Sequence, residues 1–388
     1  MEMLMSSLGR SGFDVIAIMP PPKLPGWHRP GVRVVPLKTP GEFHTGMGLR
    51  RTMGNIVARL TNSARLFFYL FRERPCVCVA HEPDSWAIAV LGKLVLRYRL
   101  VEEMNEIFED RIAFLPAPLQ RIAIPTLKHG LALLARASDC IIHVSKERYQ
   151  YHVGLRAPVT IIHHYPNLPA YSGDRTATTS LPPGRFVMIH AGPLRPASAP
   201  KSLLDALLMT RQAVPELLLV VLGGVSGQVD SYQDQMDELL ATGHLKFLPR
   251  LERDEVIRHL RAAHLGICLF APVCLSAKVA SPMKLFEYLA AGVAVLGSRT
   301  AGIEDIIAHW KCGKVVDAQD AKGIAEAIVA LARDRRELEI MAWNARRAAE
   351  DSFNWRLEEP KLLKLFSGLC CHQCGTRRDD SSAIPAST

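Results

Sequence analysis

The chain has 388 residues, 48% hydrophobic and 22% charged, globular values that exclude a disordered or collagen-like protein and give length enough for two domains. No apolar run reaches the roughly 18–20 residues that cross a bilayer, and the opening MEMLMSSLGRSGFDV lacks the basic segment and apolar core of a secretory signal, so the expected location is the cytosol. The net charge of +9 is uneven: residues 1–184 hold 22 Lys and Arg against 14 Asp and Glu, the remainder 25 against 24, so the basic excess of the first half points to an anionic partner or, more plainly, to a solvated surface.

Along the chain, short apolar runs alternate with longer amphipathic stretches. After an opening helical segment, the first half places strand-like runs at 14–19, 32–37, 76–81, 139–144 and 159–164, with helices at about 48–73, 84–98, 118–137 and 146–153. These runs are rich in Val and Ile and mostly continuous, which suits strands buried on both faces of a parallel sheet. The helix over 49–74, LRRTMGNIVARLTNSARLFFYLFRER, is basic and carries Phe67, Phe68, Tyr69, Leu70 and Phe71 together. It reads as an interfacial helix for an anionic membrane surface, or as a core helix with an exposed arginine face. A Pro-, Gly-, Ser- and Thr-rich stretch at 169–184 reads as a linker between a first domain, 1–168, and a second, 185–350. The second half repeats the alternation: strands at 185–191, 217–223, 245–249, 265–271, 293–297 and 314–316, helices near 200–213, 230–241, 253–263, 282–291, 320–333 and 335–350. A final helix is expected over 351–368 and a disordered tail over 369–388. Strand–helix alternation implies an α/β fold with parallel sheets.

Cys76, Cys78, Cys140, Cys268, Cys274 and Cys312 are scattered, several within apolar runs, and read as reduced small hydrophobes. Cys370, Cys371, His372 and Cys374 form half a zinc pattern with no second pair after it, so no metal is expected. No nucleic-acid-binding module or basic stripe appears, so no nucleic acid is expected.

The segment SPMKLFEYLAAG, residues 281–292, concentrates chemistry. Ser281 is suited to cap a helix, and Pro282 to its first position, where a missing N–H costs nothing. A helix start directly after a strand and loop presents free N–H groups and a positive dipole end to a phosphate. Lys284 adds a point charge in the first turn. Glu287, three residues on, shares its face and is placed to accept from ribose hydroxyls. Leu285, Leu289 and Ala290 pack inward, and Gly292 ends the helix. An ordinary capped helix with a surface Lys–Glu pair is the plain alternative.

The segment Leu248–Ile307, with FLPRLERDEVIRHLRAAHLGICLFAP, SPMKLFEYLAAGVAVLGS and AGIEDII, resembles the donor domain of the retaining GT-B glycosyltransferases of the large group-one (family 4-like) type. HEPDSWAIAVLGKL (81–94), YPNLP (165–169) and FNWRLEEPKLLKLF (353–366) extend the likeness over nearly the whole chain. The resemblance implies two facing Rossmann-like domains, acceptor on the first and nucleotide sugar on the second, and a C-terminal helix crossing back to the first. It implies a UDP- or GDP-sugar as donor, a glycan or lipid-linked sugar as acceptor, no cofactor and no metal. It assigns the donor to Ser281, Pro282, Lys284 and Glu287; Arg195 lies near enough to assist with phosphate, and Gly192 and Gly223 at strand ends let phosphate or ribose approach the backbone. It places Asn105 and Glu106, in VEEMNEIF, in the catalytic region of the first domain.

Several positions depart from the family. The chain opens at what looks like the family's first helix, so the expected sheet lacks an edge strand. Asn105 stands where a histidine is common, and an amide hydrogen-bonds a sugar but is no base. Glu102, Glu103, Glu106 and Glu109 also read as a solvated acidic helix start. The usual diphosphate-binding basic positions fall on Pro193 and Ser198, with Arg195 and Lys201 nearby but out of register. Eight residues before Glu287, where a second glutamate is usual, stands Val279. The expected function is a glycosyltransferase. A catalytically degenerate member acting as a glycan-binding or scaffolding subunit is the second reading, and a nucleotide-sugar epimerase the third.

Overall fold

A computed structural model describes residues 2–19, 30–37, 49–81, 83–105, 107–113, 115–149, 156–173, 181–227, 230–279 and 282–370. The chain divides into two units: residues 1–105, 115–163 and 359–388 form the first, and residues 106–114 and 164–358 the second.

In the first unit, α1 (Glu2–Arg10) leads into β1 (Val15–Met19) and β2 (Val32–Pro36), which pair in parallel as a two-stranded sheet of their own. Then follow α2 (Leu49–Glu73), β3 (Val77–His81), α3 (Pro83–Leu96), β4 (Arg99–Met104), α4 (Ala117–Ala137), β5 (Cys140–His143), α5 (Lys146–Tyr149) and β6 (Val159–Ile161). Strands β3 to β6 form a parallel sheet in sequence order. Strand β4 corrects the sequence reading. RLVEEM lacks the apolar run of the other strands, yet Glu102 and Glu103 are fully buried in it, and Glu109, already in the second unit, is buried in a 3-10 turn at Phe108–Arg111. They are not a solvated helix start. Buried carboxylates are rare without partners, and His81, the register partner of Glu103 on β3, places Nδ1 3.0 Å from its carboxylate.

In the second unit the order is β7 (Phe186–Ala191), α6 (Pro200–Thr210), β8 (Leu217–Leu222), α7 (Gln233–Ala241), β9 (Leu245–Leu248), α8 (Arg253–Ala262), β10 (Leu265–Cys268), α9 (Leu275–Lys278), α10 (Met283–Ala291), β11 (Ala294–Ser298), α11 (Ala301–Trp310), β12 (Gly313–Val316), α12 (Ala321–Arg333) and α13 (Arg335–Asp351). Helix α11 adds to the elements expected from the sequence. The six strands are parallel in the order β12-β11-β10-β7-β8-β9. Their continuous apolar runs have a physical cause: alternate residues enter two cores. Phe186, Met188, Leu217, Leu219 and Val221 pack on one face with α6 and α12, while Val187, Ile189, Leu218, Val220 and Leu222 pack on the other with α8, α10 and α13.

Helix α14 (Trp355–Leu369) runs through the division between units. Its first residue donates its N–H to the Pro166 carbonyl at 2.9 Å within the second unit. From Glu359 on it belongs to the first, where Glu359 meets Arg10 at 2.9 Å and Phe366 packs edge-on to Phe13. The expected linker is partly built into the second unit, since Leu168–Tyr171 form a 3-10 turn with Tyr171 buried. Cys371, His372 and Cys374 lie outside the described residues. Cys370 Sγ sits 3.8 Å from Cys76 Sγ. Among the described residues no group of three or more His, Cys, Asp and Glu is arranged for a metal, and no helix is long and apolar enough to cross a membrane.

Candidate donor site

The strand order of the second unit reverses between β10 and β7. Chain progression moves outward through β8 and β9 on one side, and through β11 and β12 on the other. In an open parallel sheet the loops at the carboxyl ends of such strands part and leave a crevice for ligands. Here β7 and β10 pair only at Leu265–Met188 and Gly266–Ile189. Past that point the phenol of Tyr288, from α10, bridges the strands. Its oxygen accepts from the Ala191 N–H at 2.9 Å and faces the carbonyls of Ile189 and Ile267 at 3.2 and 3.1 Å. Gly266 makes room for it, since a Cβ there would lie 2.5 Å from the Tyr288 ring.

Strand β7 ends in a glycine turn. Gly192 has φ 92° and Gly223, at the end of β8, φ 110°, backbone that side chains rarely adopt. The two loops are tied together: the Leu194 N–H donates to the Gly224 carbonyl, and the Ser226 N–H to that of Leu194, each at 2.9 Å.

Helix α10 sets the remaining groups. Ser281 lies outside the described residues. Pro282 is at the N-cap itself, in extended backbone (φ −78°, ψ 140°), and the helix starts at Met283, one residue later than expected. Gly292 ends it in left-handed backbone at φ 66°, and Leu285, Leu289 and Ala290 are buried as expected. Lys284 and Glu287 are not a surface pair. Lys284, partly enclosed, reaches back over the end of β7, where Nζ donates to His190 Nε2 at 2.9 Å and lies 5.2 Å from the Phe270 ring. Its pKa is lowered to about 8, chiefly by burial, with Cys268 and Glu287 opposing the shift and the charge of nearby Arg195 adding to it. His190, fully buried, is held neutral, its pKa lowered to about 3 by burial and then by Lys284. Glu287 is buried and accepts from the Arg253 guanidinium through Oε1, while Arg253 Nη2 donates to Tyr171 Oη at 2.7 Å. Arg253 opens α8, whose start is fixed by the Glu255 carboxylate accepting from the Glu252 N–H at 3.3 Å.

Arg195 is exposed on the loop after β7, and no carboxylate pairs with it among the described residues. Lys201, by contrast, pairs with Asp205 one turn along α6 at 2.7 Å. Ser198 and Val279 are both buried. The structure therefore gathers Lys284, Arg195, Gly192 and Gly223 at one crevice, with Glu287 one turn along α10. Sequence reasoning missed His190, Arg253, Tyr171 and Tyr288. His190 had a signal, as the lone polar residue of the apolar strand before Gly192. The Arg253–Glu287 contact had none, since 34 residues separate the two.

Glu106 lies outside the described residues. Asn105, at the end of β4, accepts from the Arg148 guanidinium through its carbonyl, and its amide oxygen is buried with no donor among the described residues.

Two units, each built on parallel β-strands with helices between them, are the components of a GT-B protein, and solved structures share this fold. Sucrose-phosphate synthase (tll1590) from Thermosynechococcus elongatus superposes with TM-score 0.68 at 17% identity, over 95% of this chain and 92% of that one. The Anabaena protein HepE in complex with UDP-glucose gives TM-score 0.67 at 16% identity, over 91% and 99%. The family described as glycosyl transferases group 1 matches residues 176–348 of this chain. The GDP-mannose-dependent alpha-(1-6)-phosphatidylinositol monomannoside mannosyltransferase of Mycolicibacterium smegmatis is 24% identical over 260 residues, 63% of this chain and 66% of that relative. A D-inositol 3-phosphate glycosyltransferase of the same organism is 26% identical over 242 residues, 60% and 53%. The chain thus spans between half and two thirds of the length of these two curated relatives.

Proposed function

We propose that the protein is a glycosyltransferase that moves a sugar from a UDP- or GDP-sugar to a glycan or lipid-linked acceptor, with retention at the anomeric carbon. The observation that carries this reading is the uncompensated positive charge of Lys284 and Arg195 at the carboxyl ends of β7 and β10, with the Glu287 carboxylate beside it. A diphosphate neutralises the two cations, and its ribose hydroxyls reach Glu287. Departure of the nucleoside diphosphate builds charge on its phosphates, and fixed cations aimed there stabilise the transition state. The family match over residues 176–348 and the nucleotide sugars named for its relatives support the donor class.

The acceptor belongs to the first unit, Asn105 and Glu106 serve catalysis, and the first unit makes peripheral contact with an anionic membrane. Support comes from the helices α2, α3 and α4, which expose Phe67, Phe68, Phe71, Leu91, Leu94, Val95, Leu119, Ile122 and Leu133 among arginines. A second reading, a catalytically degenerate member acting as a glycan-binding or scaffolding subunit, is favoured by Ser198 and Val279, which offer no cation or carboxylate to the crevice.

Calorimetric titration with UDP, GDP and their sugar conjugates, repeated on Glu287→Ala, tests the donor site. Micromolar binding lost in the variant is expected, and absence of binding by a folded sample overturns the reading. Slow release of free sugar from the bound donor, or its transfer to added glycan, separates turnover from binding alone.

A further inference from the structure

Strand β7 is apolar throughout except for His190, and a buried imidazole needs a partner at each ring nitrogen. Nδ1 lies 2.8 Å from the Gly192 carbonyl, which can only accept, so Nδ1 carries the proton. Nε2 is then a bare acceptor, and it meets the Lys284 ammonium at 2.9 Å. An ammonium has three N–H donors. Among the described residues no carboxylate lies within ion-pair distance of Nζ. One ring therefore fastens the lysine to the glycine turn on which a phosphate would rest.

We propose that His190 is a positioning residue of the donor site: it locks its proton on Gly192, accepts one N–H of Lys284, and leaves the other two for a diphosphate. This rests on the reading of the crevice as a nucleotide-sugar site. A core histidine with a purely structural role would need only the Gly192 contact. The groups facing Lys284 are His190 on β7, Cys268 on β10, Arg195 on the loop after β7 and Glu287 on its own helix. Cys268 remains a thiol, its pKa pushed by burial to about 12, and Glu287 is held by Arg253. The charge that changes in this cluster just above neutral pH is thus that of Lys284, whose ammonium His190 accepts from.

The test follows Lys284 directly, by NMR titration of protein carrying 13Cε-lysine, with Lys284→Met identifying the resonance. His190→Leu, which removes the acceptor, is expected to lower the Lys284 midpoint by about one pH unit. His190→Gln, with an oxygen near the position of Nε2, is expected to restore it. His190→Asn keeps a donor for Gly192 and loses the acceptor, so it should follow His190→Leu even if the leucine variant folds poorly. UDP and GDP titrations at pH 6.5 and 8.5 give a second readout. His190→Asn should lose about tenfold more affinity at the higher pH than at the lower. A folded variant whose Lys284 midpoint stays at the wild-type value overturns the proposal. If that midpoint follows residue 190 while neither nucleotide binds the wild type, the positioning role stands and the nucleotide reading falls. If wild type and His190→Asn bind nucleotide alike at both pH values, the reverse holds.

Discussion

Arg253 Nη1 holds Oε1 of Glu287, and Nη2 of the same guanidinium holds the phenol of Tyr171. The carboxylate is thereby fixed in one rotamer with its second oxygen outside this contact. Arg253 is itself half exposed, so the pair adds little to stability and its effect lies in orientation.

Glu287→Ala should weaken nucleotide binding by about 10- to 100-fold, since hydrogen bonds to a charged group contribute about 1.5–3 kcal/mol. Arg253→Ala should weaken it by about three- to tenfold through lost orientation. The double variant should be no weaker than Glu287→Ala alone, because Arg253 acts through the carboxylate. Calorimetry on the four proteins checks this cycle, and strictly additive losses would sink it.

Tyr288 and Gly266 form one contact, and their variants should couple. Tyr288→Phe leaves the partly buried Ala191 N–H without its acceptor, at a cost of about 1 kcal/mol or more. Gly266→Ala drives a methyl to 2.5 Å from the same ring, and overpacking of this kind costs about 1–3 kcal/mol or more. Urea unfolding should show both losses. Their sum should exceed the loss in the double variant, whose strand ends have already shifted apart.

Much of this was legible in the sequence. Continuous Val and Ile runs marked the strands because both faces of the second unit's sheet are buried. Lys284, Glu287 and Gly292 were readable because a helix start after a strand has one local geometry. What stayed hidden depended on tertiary neighbours. Strand β4 escaped notice because RLVEEM carries two glutamates, and only the register with β3, which sets His81 beside Glu103, explains one of them in a buried position. Pro282 took the cap position because its extended backbone ends the preceding loop. Arg253 and Glu287 meet only once α8 and α10 pack together.

Stability should depend on pH through two groups with opposite relevance to neutral solution. The folded pKa of His190 lies near 3, below its ordinary 6.5, so the unfolded chain binds the extra proton between these values. Stability from this group is present above pH 6.5 and is lost as pH falls towards 3. Lys284 is lowered from 10.5 to about 8, so between these values the unfolded chain again holds more protons and stability rises with pH. Melting temperatures from pH 4 to 10 should therefore show a shallower acid limb in His190→Leu and no alkaline rise in Lys284→Met. Saturating pyrophosphate should raise the melting temperature of the wild type at pH 7 and leave that of Lys284→Met nearly unchanged.

The outward face of α3 carries the last prediction. Beyond its first turn the sequence PDSWAIAVLGKLVL is apolar except for Lys93, a pattern that belongs to buried helices. Trp86 and Ala89 are buried, yet Leu94 and Val95 are 73% and 62% exposed. Beside it α4 has no acidic residue and exposes Ile122 between Arg121 and Lys128, and on α2 Phe68 is exposed near Arg65 and Arg72. A second copy of the same face would set arginine against arginine, whereas anionic lipid offers apolar depth and opposite charge, each basic residue near the surface contributing about 1 kcal/mol. The protein should sediment with phosphatidylglycerol vesicles and not with phosphatidylcholine ones, and Leu94→Asp with Val95→Asp should reduce that binding at least about tenfold without lowering the melting temperature. Arg121→Glu with Lys128→Glu should weaken binding at low salt and matter little at high salt, because screening already removes their attraction. Equal partitioning of the aspartate variant and the wild type would mean that the face is covered by something other than a bilayer.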